Sequence, residues 1–337
     1  MLASVLVVGA AVVAQAQPAA RMPGRILGPN DTRHPSKDPA VGRMPNPGCT
    51  AWLTQFGAVL TAGHCVTLGG QITLEFNVPL SSASGVINHP SNPNDIYKLR
   101  LADYEDGAND WAVFVADPTG GQTPVARQGA FVRIASTSNL PFLSQWPMAR
   151  VTGYGVDGPP PNYGEPPPLN QYSQTEQTAT GPIQGSGGKA NTICYGVDTQ
   201  PGNSGGPVLL NGVEVAIAIH VSGPDGNCSP AANYGTLLSV QGLVDAMQAA
   251  PALGRAIAPD RIFFVDEGSP LAASGATGTV MNPFLSLKSG LNAAATGTPS
   301  IVAVAPGNYA ELPYTLTLKT DVLLSMSGDV MFFPGLQ

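Results

Sequence analysis

The sequence predicts an all-β protein, and two observations support this prediction. Short apolar segments recur over residues 26–247, and clusters of Gly, Pro, Asn and Asp separate them. The 337 residues are 43% hydrophobic and only 11% charged, with 40 glycines and 33 prolines, which suits a turn-rich β protein with a sizeable core. Many short strands without intervening helices are typical of a sandwich or a barrel.

The individual elements follow in chain order. Strands are predicted at 58–61, 71–78, 111–115, 131–135, 149–153 and 213–221. A proline-rich stretch at 156–169 predicts an exposed loop, and residues 240–250, followed by Pro251, predict a closing helix.

The first 16 residues predict a secretory signal peptide. Residues 2–13 are apolar, the small residues Ala14 and Ala16 fit a cleavage site, and the run is too short to span a membrane. No Lys or Arg precedes the run, so either the true start lies upstream or the signal is atypical, and a buried strand or helix is the alternative. Residues 17–25 predict a pro-segment. We therefore expect a secreted protein without a membrane span.

The pattern changes after residue 259. A linker is predicted at 251–261, and residues 262–337 form a second region with strands at 262–266, 300–305, 316–318 and 322–324 and a helical stretch at 285–294. Short strands at close, regular spacing are typical of solenoid coils, which need about three units to bury a core. We expect an incomplete solenoid or an unusual cap.

Cysteine content and charge limit the possible partners. The even number of cysteines in an exported chain predicts disulfides, and three pairings are open among Cys49, Cys65, Cys194 and Cys228. No Cys-x-x-Cys or Cys/His cluster indicates a metal, and we expect no cofactor. The net charge of −7 and the lack of a basic patch argue against nucleic acid as a partner.

One cluster of acidic residues has the composition of a calcium-binding loop. Asp103, Glu105 and Asp106 fit either a calcium loop or a solvated turn, and the sequence favours the turn.

Three residues in the order His64, Asp110, Ser204 indicate nucleophilic catalysis. A serine hydroxyl is a weak nucleophile unless a base takes its proton, His is the natural base near neutral pH, and a buried carboxylate orients it. Ser204 lies among glycines, where the amides of Gly202 and Ser204 can point at one developing oxyanion. Each signal has an ordinary alternative: a glycine-rich turn, a structural histidine and a turn aspartate. The occurrence of all three residues in this order favours catalysis.

Two motifs resemble those of chymotrypsin-fold serine proteases. They are Thr-Ala-Gly-His-Cys at 61–65 and Gly-Asn-Ser-Gly-Gly-Pro at 202–207, and the resemblance covers residues 26–250. It implies a double β-barrel with the triad between the barrels. It also implies that Cys49 pairs with Cys65 and that Cys194 pairs with Cys228. One departure is Asn203, where digestive members carry an Asp that holds the activated amino terminus.

Within that family the sequence more closely resembles the glutamyl endopeptidase branch than the digestive members. Residues 198–204 and 217–220 resemble its pocket segments, which implies that Thr199 and His220 bind a substrate Glu carboxylate. We also expect Val221, Ser222 and Gly223 to line the substrate strand. The alternative for His220 is a core histidine. Arg25-Ile26 resembles a processing junction that would leave Ile26 as the mature amino terminus.

The tail resembles the opening of a right-handed parallel β-helix of the pectin-lyase-like kind. Residues 262–266, 282–284 and 304–309 carry that similarity. We assign it no catalysis and expect a spacer or an extracellular glycan or matrix contact.

The sequence therefore predicts a secreted serine endopeptidase that hydrolyses polypeptides through an acyl-enzyme, with a preference for Glu before the scissile bond. Two rival hypotheses remain open. One is a non-catalytic adhesion or glycan-binding protein built on a protease scaffold, and the other is an esterase that uses the same serine.

Overall fold

The structure is a computed structural model. It describes residues 26–54, 57–134, 148–157, 169–212, 214–223, 228, 232–249, 261–269, 275–278, 282–294, 300–305, 307–309, 322–326 and 330–332. The predicted signal peptide and pro-segment, most of the loop at 156–169, nearly all of the linker and the strand at 316–318 lie outside the described residues.

Six antiparallel strands form a closed barrel in the order β2-β3-β4-β7-β6-β5, and a short first strand, β1, joins the neighbouring sheet. Their bounds are β1 (His34–Pro35), β2 (Val41–Met44), β3 (Cys49–Leu53), β4 (Ala58–Thr61), β5 (Ile72–Glu75), β6 (Ile96–Glu105) and β7 (Trp111–Ala116). Trp52, Leu60 and Phe114 are fully buried in the barrel. The barrel also buries one ion pair: Arg43 on β2 binds Glu75 on β5 at 2.7 Å. Burying this charge is tolerable because it is paired.

The next strands and β1 form a nine-stranded sheet in the order β1-β10-β9-β13-β14-β15-β12-β11, with β8 parallel to β14. Helix α2 packs Leu243 and Met247 onto the core of the first barrel. The bounds are β8 (Arg133–Ile134), β9 (Ala149–Gly153), β10 (Gln177–Gly181), β11 (Ile183–Ser186), β12 (Thr192–Tyr195), β13 (Pro207–Leu210), β14 (Val215–Ser222), β15 (Asn233–Leu237), α1 (Pro124–Gln128) and α2 (Gln241–Ala249).

The described part of the tail consists of parallel strands and one helix. Strands β16, β17 and β19 pair in parallel, as do β18 and β20. Ile262 and Phe264 pack into the core of the nine-stranded sheet, so the start of the tail lies against that sheet. The bounds are β16 (Arg261–Val265), α3 (Leu287–Ala294), β17 (Ser300–Val304), β18 (Gly307–Tyr309), β19 (Val322–Met326) and β20 (Val330–Phe332).

The all-β, chymotrypsin-like fold with few helices is confirmed. The predicted strands at 58–61 and 149–153 have the predicted bounds, and the closing helix runs over 241–249. The predicted turn at Asp103 and Glu105 is wrong, because both residues lie in β6. A β-bulge between Leu101 and Asp103 interrupts its pairing with β7, and half of the residues of the strand are exposed, so its sequence resembles that of a loop. Within the described residues, no helix has the length and apolarity needed to cross a bilayer.

Candidate active site

The loop between β12 and β13 holds Ser204, and its backbone explains the surrounding glycines. Gly202 has a φ of +102° and Gly205 a φ of +87°, both in the left-handed region that favours glycine. A Cβ on Gly202 would meet the Tyr154 carbonyl at 2.5 Å, and one on Gly205 would overlap the Thr61 hydroxyl. Glycine is therefore required at both positions for the loop to pack here.

Contacts with both halves of the fold hold this loop. The Thr50 N–H donates to the Ser204 carbonyl at 2.8 Å, and the Thr50 hydroxyl donates to the Gly202 carbonyl at 2.7 Å. On the other side, the Gly205 N–H donates to the His220 carbonyl at 2.8 Å. Ser204 therefore lies at the junction between the first barrel and the nine-stranded sheet.

His64 and Asp110 meet at two points. His64 lies in a single 3₁₀ turn, Gly63–Cys65, directly after β4, and Asp110 precedes β7. One Asp110 oxygen accepts the His64 backbone N–H at 2.8 Å, and the other lies 2.8 Å from His64 Nδ1. The Asp110 side chain is 3% exposed, whereas that of His64 is 31% exposed. A buried carboxylate thus orients an accessible imidazole, which is what a general base needs.

The Ser204 hydroxyl donates to the Val221 carbonyl at 3.2 Å. Val221 lies on β14, one residue after His220, and a bulge interrupts the strand pairing between His220 and Ser222. The three residues predicted to line the substrate strand, Val221, Ser222 and Gly223, are all buried.

Backbone geometry beside Ser204 leaves two amides free. The Val156 N–H donates to the Pro201 carbonyl at 2.8 Å. Because C=O and N–H point in opposite directions across a trans peptide, the Gly202 N–H points away from Val156. Among the described residues, neither the Gly202 nor the Ser204 amide donates to another group. Two free backbone donors close to a serine hydroxyl form a suitable site for an oxyanion.

Thr199 and His220, predicted to bind a substrate carboxylate, are both fully buried. Burial, and then the charge of nearby His64, lower the pKa of His220 to about 3, so its ring is neutral near pH 7. His220 Nδ1 lies 2.7 Å from the Tyr195 hydroxyl. Its Nε2 and the Thr199 hydroxyl make no hydrogen bond of standard geometry among the described residues, although the Tyr234 backbone lies close enough to the His220 ring to raise its pKa against the effect of burial. Unpaired buried polar atoms are costly, and a bound ligand would satisfy them.

Asn203 and Asp198 flank the predicted site and have distinct partners. Asn203 is 2% exposed, and its side-chain oxygen accepts the Gln200 N–H at 2.8 Å, so it shapes the loop from within. Asp198 is 4% exposed and accepts the Leu27 N–H at 2.7 Å. The Thr32 N–H and hydroxyl donate to its other oxygen at 2.9 and 2.6 Å.

The four cysteines form two disulfides. Cys49 pairs with Cys65 beside the histidine, and Cys194 pairs with Cys228. Among the described residues, the His, Cys and acidic groups spaced for a metal ion are Cys49, His64 and Cys65. Both sulfurs are in a disulfide and offer no thiolate, so this group does not fit a metal.

Comparisons with known proteins identify the family. A family model described as Trypsin matches residues 27–247, which is more than half of the chain. The chain belongs to the trypsin family. As a trypsin-family protein it is a serine protease, a hydrolase whose substrates are polypeptides. A search of curated proteins found no match.

Solved structures include two proteases similar to this trypsin-family chain. One is a thermostable serine protease, AL20, from an extremophilic microorganism, with 18% identity over 59% of this chain and 91% of that chain and a TM-score of 0.43. The other is the HtrA-type protease AlgW with a decapeptide, with 14% identity over 60% of this chain and 52% of that chain and a TM-score of 0.40.

Sequence reasoning did not assign roles to several residues at this site. Two of them contact predicted functional residues: Tyr195 contacts His220, and Thr50 contacts Gly202. Val156 binds Pro201, the residue before Gly202, and Asp198 binds the amino-terminal segment. No local pattern marks any of them, because each contact joins segments that are far apart in sequence. The tight Gly-rich motif, by contrast, marks Ser204 directly.

Proposed function

We propose that this trypsin-family protein is a secreted serine endopeptidase with the triad Ser204, His64 and Asp110. The observation that carries the proposal is the two-point contact between Asp110 and His64. The loop of Ser204 requires glycine on either side, and the Ser204 carbonyl lies 3.8 Å from the sulfur of Cys65, the residue after His64. The two disulfides fit an oxidising, extracellular location.

The positions of the protons in the triad support the proposed roles of its residues. An ionised carboxylate only accepts hydrogen bonds, so His64 Nδ1 carries the proton that faces Asp110. His64 Nε2 is then left with a lone pair for the Ser204 proton. Ser204 Oγ attacks the scissile carbonyl carbon, and His64 later returns the proton to the leaving amine. Water then hydrolyses the acyl-enzyme with the same base.

The free amides of Gly202 and Ser204 supply the electrostatic part of the proposed mechanism. They would donate to the carbonyl oxygen as it becomes negative in the tetrahedral intermediate. Because the loop already holds these amides in place, little reorganisation is needed when the charge develops. One such donor contributes about 10²- to 10³-fold to the rate in comparable sites.

We further propose a preference for Glu before the scissile bond. If the Tyr195 hydroxyl donates to His220 Nδ1, the neutral ring carries its proton on Nε2, where it can donate to a carboxylate. The Thr199 hydroxyl is a second buried donor without a partner. The Asp198 carboxylate, next to Thr199, already accepts hydrogen bonds from Leu27 and Thr32. Because these bonds use the carboxylate, the site disfavours a basic substrate side chain. Val221, Ser222 and Gly223 would line the substrate strand.

The proposal extends to both ends of the chain. A signal peptide at 1–16 and cleavage after Arg25 would release a protease domain that begins at Ile26, one residue before the Leu27 contact with Asp198. N-terminal sequencing of the secreted protein tests this, and an active chain that starts elsewhere contradicts it.

For the tail, we propose that residues 262–337 begin a right-handed β-helix after the linker. The parallel pairing of β16, β17 and β19 supports it. A glycan or matrix contact is its proposed role.

Ser204→Ala tests the nucleophile, with Ser84→Ala on an exposed loop as the matched control. We expect peptide hydrolysis and labelling by a fluorophosphonate probe to be lost in the first variant and kept in the second. Unchanged hydrolysis in Ser204→Ala rejects the proposal. A wild-type protein that never labels indicates a non-catalytic binding protein, and turnover of esters without peptides indicates an esterase.

A peptide-library cleavage profile tests the specificity. Thr199→Val is expected to lower kcat/KM for a Glu substrate by about 10- to 100-fold relative to a matched Gln substrate, since a hydrogen bond to a charged group contributes about 1.5–3 kcal/mol. Thr180→Val, at an exposed position on β10, is the control. A basic or aromatic preference in the wild-type profile overturns the pocket assignment.

A further inference from the structure

The amino-terminal residues 27–33, which precede the first barrel, bind Asp198 in the loop at 196–206, here called the nucleophile loop, and residues 156–157 beside that loop. We propose that this segment, here called the N-terminal clamp, holds the oxyanion amides in place, with Asp198 and Arg33 as its positioning residues. The inference rests on the proposed serine-protease function and names a role for residues that the triad does not include.

The first attachment is at Asp198, where the nucleophile loop begins. Its two oxygens accept three hydrogen bonds from the clamp: one from Leu27 and two from Thr32. The carboxylate is 4% exposed. A buried charge of this kind is stable only when its hydrogen bonds are made, and here the clamp makes them.

The second attachment is at Arg33, whose side chain is 1% exposed. Its guanidinium donates to the Val156 carbonyl at 2.9 Å and binds Asp31 at 2.7 Å, with Asp157 at 3.6 Å. The fixed fork of the guanidinium can bind a carboxylate and a carbonyl at once, which a Lys side chain cannot reproduce.

A short path leads from Arg33 to the oxyanion amides. Arg33 binds the Val156 carbonyl, and the Val156 N–H in turn donates to the Pro201 carbonyl at 2.8 Å. That last bond sets the direction of the 201–202 peptide and therefore of the Gly202 N–H. If Val156 shifted, the peptide would lose the partner that fixes its orientation.

The clamp leaves Asn203 to its own loop, where the Asn203 side-chain oxygen accepts the Gln200 N–H. The amino-terminal segment binds Asp198 and residues 156–157 instead. The clamp begins at Leu27, so processing after Arg25 would leave all of it in the mature chain.

Arg33→Met and Asp198→Asn test the clamp. Arg100→Met and Asp117→Asn are matched controls, because these two residues form a surface pair with side chains 61% and 43% exposed. We expect kcat to fall about 10- to 100-fold in the clamp variants, somewhat less than the loss of an oxyanion donor, with KM changed less than about threefold. The controls should keep wild-type values. A rise in KM at constant kcat, or no kinetic change, overturns the proposal.

Hydrogen exchange provides a readout that does not depend on catalysis. In a Ser204→Ala background, both clamp variants should speed amide exchange in residues 199–206, where the Asn203, Gly205 and Gly206 amides are hydrogen-bonded, and the controls should not. Wild-type exchange in this loop overturns the clamp even if the enzyme proves inactive. Activity that survives Ser204→Ala instead rejects the proposed function. Should Arg33→Met fail to fold, Arg33→Lys keeps the charge and is expected to show an intermediate loss.

Discussion

Glu176 gives the most quantitative prediction, because its environment changes its ionisation strongly. It lies in a cleft of about 400 Å³ that Asp38 and Tyr154 also line. Its oxygens accept the Asp38 N–H at 2.5 Å and the Tyr154 hydroxyl at 3.3 Å. Burial raises the pKa of Glu176 from 4.5 to about 7. Between pH 4.5 and 7 the folded protein therefore retains the Glu176 proton, whereas the unfolded chain has released it.

This pKa difference sets the sign and size of the pH dependence. Since the folded state binds more protons between pH 4.5 and 7, the Glu176 contribution to the free energy of unfolding is fully present below pH 4.5 and is lost as pH rises through 7. A shift of about 2.5 units at 1.36 kcal/mol per unit corresponds to about 3 kcal/mol. His220 has the opposite effect between pH 3 and 6.5, because its pKa is lowered in the folded state. The pH profile of the wild-type protein alone therefore mixes the two groups.

Glu176→Gln isolates the carboxyl group, since Gln resembles its protonated form. Denaturant unfolding is measured at pH 4.5, 5.5, 6.5 and 7.5 in a Ser204→Ala background, which prevents self-digestion. The stability of the parent protein minus that of the variant should fall by about 3 kcal/mol across the series. Glu214→Gln is the control, because the Glu214 side chain is 55% exposed in a surface ion pair with Arg150. For this variant the stability difference from the parent should hardly change with pH. A flat difference for Glu176→Gln would refute the buried-carboxyl reasoning.

Three further predictions concern catalysis and stability. Asp110→Asn should lower kcat about 10³- to 10⁴-fold with near-normal KM, because the amide no longer fixes the imidazole tautomer, and steady-state kinetics checks this. Arg43→Met should cost about 3–5 kcal/mol in denaturant unfolding, because it removes the guanidinium from the buried Glu75 carboxylate and leaves that carboxylate with His89 alone; a loss below 1 kcal/mol contradicts this. Replacing Cys194 and Cys228 by Ser should cost about 4 kcal/mol from a sequence separation of 34 residues, again by unfolding, and an unchanged midpoint excludes a stabilising bridge.

Much of the fold and the loop of the candidate nucleophile were predictable because their signals are local. Alternating and apolar runs predicted β4 and β9 with their observed bounds, and the glycines at 202 and 205 predicted a tight turn that the positive φ angles explain. The approach of His64 to Asp110 came from chain order and resemblance, since these residues are 46 positions apart.

The contacts that support the site were not predictable, because they join distant segments. Asp198 binds Leu27 across 171 positions, and Tyr195 on β12 reaches His220 on β14 past the intervening strand β15. Neither residue has a local pattern that indicates a partner. β6 was missed for a different reason: its solvent-facing polar residues resemble a loop, and only pairing with β5 and β7 makes it a strand.

The central claim is that Ser204 is a nucleophile activated by His64. The most direct measurement is fluorophosphonate labelling of the secreted protein, followed by peptide mapping of the adduct and its rate in His64→Ala. The account predicts one adduct, on Ser204, and a labelling rate that falls by at least about 10³-fold in His64→Ala. An adduct on another residue, or labelling of Ser204 at the wild-type rate without His64, would contradict it.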